Sequence, residues 1–157
     1  MKLLFLIEKL ESSELFQDYK KQNPNSYLCA GFFMLDFKAD SQYQLDYSDE
    51  QGNITTFYLS NGIQAKPAET IGKAIPKKLD ENIRIDIDNI EELAKKEAEK
   101  LGLKLSKIIA LLQNIEGKTI FSLNCMAGLK VLKIKIDAIS GEILNSELLN
   151  LFDFAKK

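Results

Sequence analysis

Residues 27–37 constrain the fold more than any other segment, because they form an almost unbroken run of apolar and aromatic side chains, Tyr-Leu-Cys-Ala-Gly-Phe-Phe-Met-Leu-Asp-Phe. A short apolar run of this kind is typical of a strand that other structure covers on both faces. Each large side chain left in water would forgo about 1.5–3 kcal/mol of burial free energy. We therefore expect an interior strand from Tyr27 to Phe37. Its second face would be covered by the other half of the chain, by a terminal helix or by a second copy.

The first half of the chain is predicted to be one helix followed by three strands. A serine can cap a helix over residues 12–22, which ends at Asn23-Pro24-Asn25. Gln42–Ser48 alternates apolar and polar side chains, as a half-buried strand does. A turn then leads to another strand at Ile54–Leu59. Together with residues 27–37, these strands are expected to form an antiparallel meander.

The second half shows the same order of elements. Asp88 and Glu91 have the spacing of a capping box ahead of a helix that runs to about Leu101. Short glycine-containing turns then separate three predicted strands, Lys107–Ile115, Thr119–Met126 and Leu129–Asp137. A short strand at residues 142–144 and a terminal helix from Ser146 complete the prediction.

This repeated order predicts an α+β fold of two tandem units, each a helix plus an antiparallel three-strand meander, closed by a short C-terminal helix. The units would span residues 1–60 and 88–157, with a linker at 61–87 in which Pro67 and Pro76 limit regular structure. The hypothesis depends on element order alone, since the residues themselves are not repeated. A length of 157 residues favours one compact body.

Residues 90–144 resemble a PepSY domain. The likeness lies in the helix Ile90-Glu91-Glu92-Leu93-Ala94, the three strands and the closing stretch Ile136-Asp137-Ala138-Ile139-Ser140-Gly141-Glu142-Ile143-Leu144. PepSY domains are cystatin-like in fold, lack catalysis of their own, and are associated with inhibiting or regulating peptidases, typically outside the cytoplasm. The resemblance therefore implies a noncatalytic regulatory module. No functional residue carries over, because the matching positions look structural.

The composition argues against several classes of protein. The 21 basic residues are outnumbered by 23 acidic ones and form no cluster, which argues against a nucleic-acid-binding protein. No run approaches the ~20 apolar residues of a membrane span. The opening run at Leu3–Ile7 ends at Glu8 without a small-residue cleavage site, so we expect a cytoplasmic protein without membrane association. This departs from the usual location of PepSY proteins and weakens the peptidase connection.

The chain offers little catalytic or metal-binding chemistry. It contains no histidine, and Cys29 and Cys125 each lie in an apolar segment, where burial keeps a thiol inert. The sequence does not decide whether these two cysteines form a disulfide. The acidic residues Asp80, Glu81, Asp86 and Asp88 miss the calcium-loop pattern and are explained by a loop that leads into a helix cap. We therefore predict no enzyme, no metal and no cofactor.

Aromatic residues supply the candidate binding site. Eleven of the fourteen precede Ser60, and the strand positions include Tyr27, Tyr43, Tyr47 and Tyr58. Core packing is the default explanation, but tyrosine also combines contact area with a hydrogen-bonding tip. The first hypothesis is a noncatalytic module that binds a protein partner through its sheet or through residues 60–87, with a homodimer left open. The alternative is a carrier with an aromatic-lined pocket for a small apolar ligand.

Overall fold

The computed structural model describes residues 2–68 and 75–151, which contain three helices and eight strands. In chain order these are α1 (Leu3–Glu11), α2 (Glu14–Gln22), β1 (Tyr27–Asp36), β2 (Gln42–Ser48), β3 (Ile54–Tyr58), β4 (Gln64–Pro67), α3 (Ile87–Lys100), β5 (Lys107–Ile115), β6 (Lys118–Ala127), β7 (Lys130–Asp137) and β8 (Ile143–Asn150). None of the helices within the described ranges is long and apolar enough to cross a membrane.

All eight strands belong to one antiparallel sheet, in the order β4-β3-β2-β1-β5-β6-β7-β8. Two four-strand meanders meet at its centre, where β1 and β5 pair over seven residue pairs that include Phe33 opposite Ala110. The prediction of two tandem helix-plus-three-strand units is therefore wrong, although an α+β fold with an antiparallel sheet is confirmed. Local sequence patterns identified most of the strands, but they carry no information on which distant strand pairs with the edge of β1.

The N-terminal elements differ from the expectation because α1 was not predicted. Its apolar residues Leu3, Leu6 and Leu10 recur at helical spacing and are buried against the sheet. The following helix, α2, begins after Ser13, whose hydroxyl accepts a hydrogen bond from the Phe16 N–H at 3.2 Å.

The third helix, α3, begins two residues earlier than the predicted cap at Asp88. Its N-cap is Asp86, whose backbone N–H donates to Asn89 Oδ1 at 2.9 Å. An asparagine therefore occupies the place of the glutamate in the capping-box pattern. The predicted linker that precedes this helix contains β4, and its residues 69–74 lie outside the described part of the chain.

The predicted helix from Ser146 is wrong up to Asn150, because these residues belong to β8 and pair with β7. Leu148 and Leu149 suit a helical face as well as a strand. The backbone of β7, however, offers a full ladder of hydrogen bonds that a helix would leave unpaired. The remainder of the predicted helix, residues 152–157, lies outside the described residues.

The sheet has a core face, which carries the helices, and an outer face. Buried residues of all three helices form one cluster with the core-face side chains of the strands, among them Phe33, Leu45 and Phe121. On the outer face, Phe32 and Met34 of β1 are only half-buried. The expectation that β1 is covered on both faces is therefore wrong for the described residues, since both meanders extend the sheet sideways instead of stacking on it.

Candidate functional site

A cavity of about 400 Å³ lies on the core face, between α1, the start of α2, β1 and the segment 78–86. Its wall is apolar and aromatic, formed by Leu3, Ile7, Phe16, Tyr27, Leu28, Tyr47, Leu79 and Ile83. Its rim carries exposed or half-buried charged side chains, namely Glu11, Lys20, Lys78, Asp80, Glu81 and Asp86. Its volume lies in the usual range for small-molecule pockets, and its lining combines apolar side chains with an unusually large share of charged ones.

Both helical walls follow from simple periodicity. Leu3 and Ile7 are four residues apart in α1, so they lie one above the other on the same face of the helix. Phe16 is the buried residue of α2 and packs edge-on against Tyr47 at 4.8 Å between ring centroids. The cavity thus lies where the apolar stripes of two short helices meet the sheet.

The segment 78–86 has no regular secondary structure before α3, but backbone hydrogen bonds hold it against the sheet. The Leu79 N–H donates to the Leu28 carbonyl at 3.1 Å, and the Asp80 N–H donates to Thr119 Oγ1 at 2.9 Å. Just before the segment, the Tyr27 hydroxyl donates to the Pro76 carbonyl. These bonds fix one wall of the cavity.

Tyr47 is the unusual polar group of the cavity. Its side chain is 4% exposed, and its hydroxyl has no hydrogen-bond partner. Burial, together with the nearby charge of Glu11, raises the pKa of Tyr47, so the hydroxyl stays neutral and keeps its proton. Leaving such a group unpaired costs about 1–3 kcal/mol. Tyr47 therefore lines the cavity and carries a buried donor without a partner.

A second unpaired hydroxyl belongs to Tyr19, which lies beside the cavity wall. The Tyr19 ring is 6.4 Å from that of Tyr47, and burial raises its pKa. Ser26 and Thr55 lie near enough to counter this rise in part, although neither forms a hydrogen bond with the Tyr19 hydroxyl within 3.5 Å. The aromatic cluster behind the cavity therefore contains two buried hydroxyls without partners.

The four tyrosines proposed from the sequence occupy three places. Tyr27 and Tyr47 both line the cavity. Tyr43 packs beside Phe33 in the core, at 6.4 Å between ring centroids. Tyr58 lies on the outer face in a separate polar groove of about 220 Å³, with Lys66 Nζ 5.5 Å from its ring centroid. The structure thus brings two of the four together.

Sequence reasoning missed the walls supplied by α1 and by the segment 78–86. Leu79 and Ile83 come from the predicted linker, and Leu3 and Ile7 come from an opening apolar run to which no element was assigned. A signal for α1 existed, because its apolar residues recur every three or four positions. The segment 78–86 carries no comparable pattern, since only its position beside β1 makes it a wall.

Neither cysteine lines the cavity, and the described carboxylates form no metal-binding cluster. Cys29 and Cys125 are buried and free, and burial raises the pKa of each thiol to about 12, so both stay protonated. Within residues 2–68 and 75–151, no three side chains of the His, Cys, Asp or Glu type come close enough to hold a metal ion. The cavity therefore offers apolar contact, hydrogen bonding and the charges of its rim.

Comparisons with known proteins define the fold only. No protein-family profile matches the sequence, and no curated protein matches it. Among solved structures, a "putative lipoprotein" from Clostridium difficile 630 matches with a TM-score of 0.62 and 14% sequence identity, covering 87% of this chain and 91% of that one. At this identity the likeness extends to the fold alone. The resemblance of residues 90–144 to PepSY domains stays a prediction, as does the cytoplasmic location.

Proposed function

We propose that this protein is a noncatalytic carrier that holds a small amphiphilic molecule in the cavity between α1, α2, β1 and the segment 78–86. The observation that carries the proposal is the cavity of about 400 Å³, which is lined by Tyr47, a residue whose buried hydroxyl has no partner. Native proteins pair nearly all such groups, so a ligand whose acceptor reaches this hydroxyl would gain a hydrogen bond. The aromatic surroundings agree with the carrier hypothesis drawn from the sequence.

The wall chemistry defines the ligand class. Apolar contacts would hold an aliphatic or aromatic body, and the Tyr47 hydroxyl would donate to an acceptor oxygen or nitrogen on it. At the rim, four carboxylates outnumber two ammonium groups. Of the latter, Lys20 bonds the Ser26 carbonyl at 2.7 Å and Lys78 bonds Glu81 at 2.6 Å. A neutral or cationic head group therefore suits the rim better than a carboxylate.

Native mass spectrometry of freshly purified protein tests whether a ligand is retained. We expect extra mass that disappears on denaturation. Calorimetric titration with three probes of equal chain length, decan-1-ol, decylammonium and decanoate, then tests the head-group preference. We expect the alcohol and the ammonium to bind more tightly than decanoate. A bare protein that binds none of the three would contradict the carrier function.

Two variants localise the binding to the cavity. Tyr47→Phe removes only the hydroxyl and should weaken decan-1-ol binding roughly 2- to 10-fold, the equivalent of one lost hydrogen bond. Tyr58→Phe on the outer face is the matched control and should leave binding unchanged. Ile7→Trp, which adds volume to the cavity wall, should abolish binding. Equal binding by all three variants would mean that the probes bind elsewhere.

A second candidate function, a module that binds a protein partner, is favoured by the centre of the outer face. There Phe32 pairs with Leu111 and Met34 pairs with Ile109, so four apolar side chains stand together beside glutamine residues of β2. Leu111 is 37% exposed although it belongs to a central strand. Such a patch is typical of an interaction surface. Phe32→Lys should abolish capture of a partner in a pull-down without weakening decan-1-ol binding.

A further inference from the structure

The two edges of the sheet differ in how they are protected from pairing with another strand. The edge strand β4 has only four residues and contains Lys66 and Pro67. The Ala68 N–H donates to the Ile54 carbonyl at 2.9 Å, so every second residue of β4 bonds to β3. The backbone groups of Ala65 and Pro67 therefore point away from β3, toward the open edge. The proline therefore stands where a free N–H would otherwise be. Short length, lysine and proline are the usual protections of an edge strand.

The opposite edge strand, β8, has none of these protections. It spans eight residues without lysine or proline, and Glu147 is its single charged residue. Leu144 and Leu148 are each 41% exposed. A long, exposed edge strand with apolar side chains is a template for pairing with another chain.

The outward-facing backbone groups of β8 can be assigned from its hydrogen bonds. The Leu151 N–H donates to the Leu129 carbonyl at 2.8 Å, and Glu147 stands opposite Lys133 in the ladder. In an antiparallel ladder alternate residues bond to one neighbour, so the odd-numbered residues from Asn145 to Leu149 bond to β7. Before Asn145 the register shifts, between Lys135 and Ile136 of β7. Ser146 and Leu148 therefore direct their N–H and carbonyl groups away from the sheet, and no described residue pairs with them.

From this edge we propose that β8 pairs with β8 of a second copy of this chain, antiparallel and about a twofold axis at Ser146. The inference is independent of the proposed carrier function, because β8 contributes nothing to the cavity. Such a pair would join two sheets into one continuous sheet of sixteen strands. A twofold arrangement is the commonest symmetry of soluble oligomers.

The side chains of β8 complement themselves in this register. With Ser146 opposite Ser146 of the second copy, Leu148 stands opposite Leu144, so two exposed leucines face each other on each side of the axis. Leu144 lies at the register shift of the ladder between β7 and β8. On the outer face, Glu147 stands opposite Asn145, which can donate a hydrogen bond to its carboxylate. An axis at Glu147 would instead place two carboxylates opposite each other. Charge and apolar contact therefore favour an axis at Ser146 over an axis at Glu147.

Sedimentation velocity over a concentration series tests the pairing. We expect a dimer that dissociates on dilution. Ser146→Pro should weaken dimerisation roughly tenfold or more, since each copy loses an N–H that crosses the axis while its bonds to β7 are kept. The matched control is Ala65→Pro, which places the same change at the outward-facing position of β4. A monomeric wild-type protein, or equal dissociation constants for the two proline variants, would overturn the proposal.

Cross-linking tests the register without disturbing the strand. In the proposed pair the two Ser146 Cα atoms are about 5.5 Å apart, which a disulfide can span, whereas the two Asn145 Cα atoms are about 8 Å apart. Mild oxidation should therefore link Ser146→Cys, but not Asn145→Cys, into a dimer on a nonreducing gel. Circular dichroism confirms that each variant is folded. Equal cross-linking of both variants, or of neither, would refute the pairing at Ser146.

Discussion

Removal of the Tyr47 hydroxyl should stabilise the ligand-free protein. The hydroxyl is buried and unpaired, so Tyr47→Phe relieves a desolvation cost of about 1–3 kcal/mol and keeps the ring contacts with Phe16 and Phe57. For a chain of 157 residues, each kcal/mol corresponds to a rise in Tm of about 2–4 °C. A gain in free energy of unfolding on deleting a polar atom is uncommon, because most substitutions destabilise.

The matched control is Tyr27→Phe, which removes the same atom from the other cavity tyrosine. The Tyr27 hydroxyl donates to the Pro76 carbonyl, so its loss should destabilise the protein by about 0.5–1.5 kcal/mol. The two variants therefore change the free energy of unfolding in opposite directions, although each replaces tyrosine with phenylalanine. This contrast separates the effect of the missing partner from any general effect of replacing tyrosine with phenylalanine.

Urea denaturation of ligand-free protein, followed by circular dichroism, measures both changes. Protein from which native mass spectrometry detects no bound molecule is required, since a ligand that binds the folded state would mask the gain. The midpoint should rise for Tyr47→Phe and fall for Tyr27→Phe with an unchanged m value. A fall in midpoint for both variants would show that the Tyr47 hydroxyl already has a partner, and the reasoning for the cavity would fail.

Three further outcomes follow from the core and the turns. Cys29 and Cys125 should resist iodoacetamide at pH 8 until urea unfolds the protein. Because burial raises both thiol pKa values from about 9 to about 12, stability should also fall as the pH rises through that interval, by more than in a variant with both cysteines replaced by alanine. Gly31→Ala should lower the free energy of unfolding by about 1–3 kcal/mol, since the Cβ of the new alanine would lie 2.7 Å from Cζ of Phe33. A urea midpoint equal to that of the wild type would refute that contact. The backbone N–H groups of residues 140 and 139 lower the pKa of Asp137 below its ordinary value of 3.8. The stability that ionised Asp137 contributes is therefore complete above pH 3.8 and is lost as the pH falls below it, so Asp137→Asn should flatten the acid limb of a pH–stability curve.

Local pattern was sufficient for the strands that alternate cleanly or lie between short glycine turns. The observed bounds of β2 and β5, Gln42–Ser48 and Lys107–Ile115, coincide with those predicted. In β2 Leu45 and Tyr47 are buried while Gln44 and Asp46 are half-buried, so the period of two identifies the element. The same reasoning failed for Ser146–Asn150, where consecutive leucines fit a helix and a strand equally.

The sheet order and the cavity depend on contacts between residues distant in sequence, and local pattern is silent about them. Nothing in Tyr27–Asp36 indicates that Lys107–Ile115 is its neighbour, so two units were predicted where one sheet exists. For the same reason, Tyr27 and Tyr47 could be proposed as binding residues, whereas Leu79 became a wall residue only through its bond to Leu28. Tyr43 and Tyr58 were also proposed but lie outside the cavity, because Tyr43 packs in the core and Tyr58 lies on the outer face of the sheet.

The pairing of β1 with β5 also has a consequence during synthesis. The end of β1 at Asp36 precedes the end of β5 at Ile115 by 79 residues. At a ribosomal rate of ~5–20 residues per second, roughly 4–16 s pass before β1, the edge strand of the first meander, can pair with β5. Throughout that interval, the most apolar strand of the protein presents an unpaired edge. Until the second meander emerges, this edge can therefore pair with the strands of other chains, so the nascent protein is most prone to aggregate during that interval.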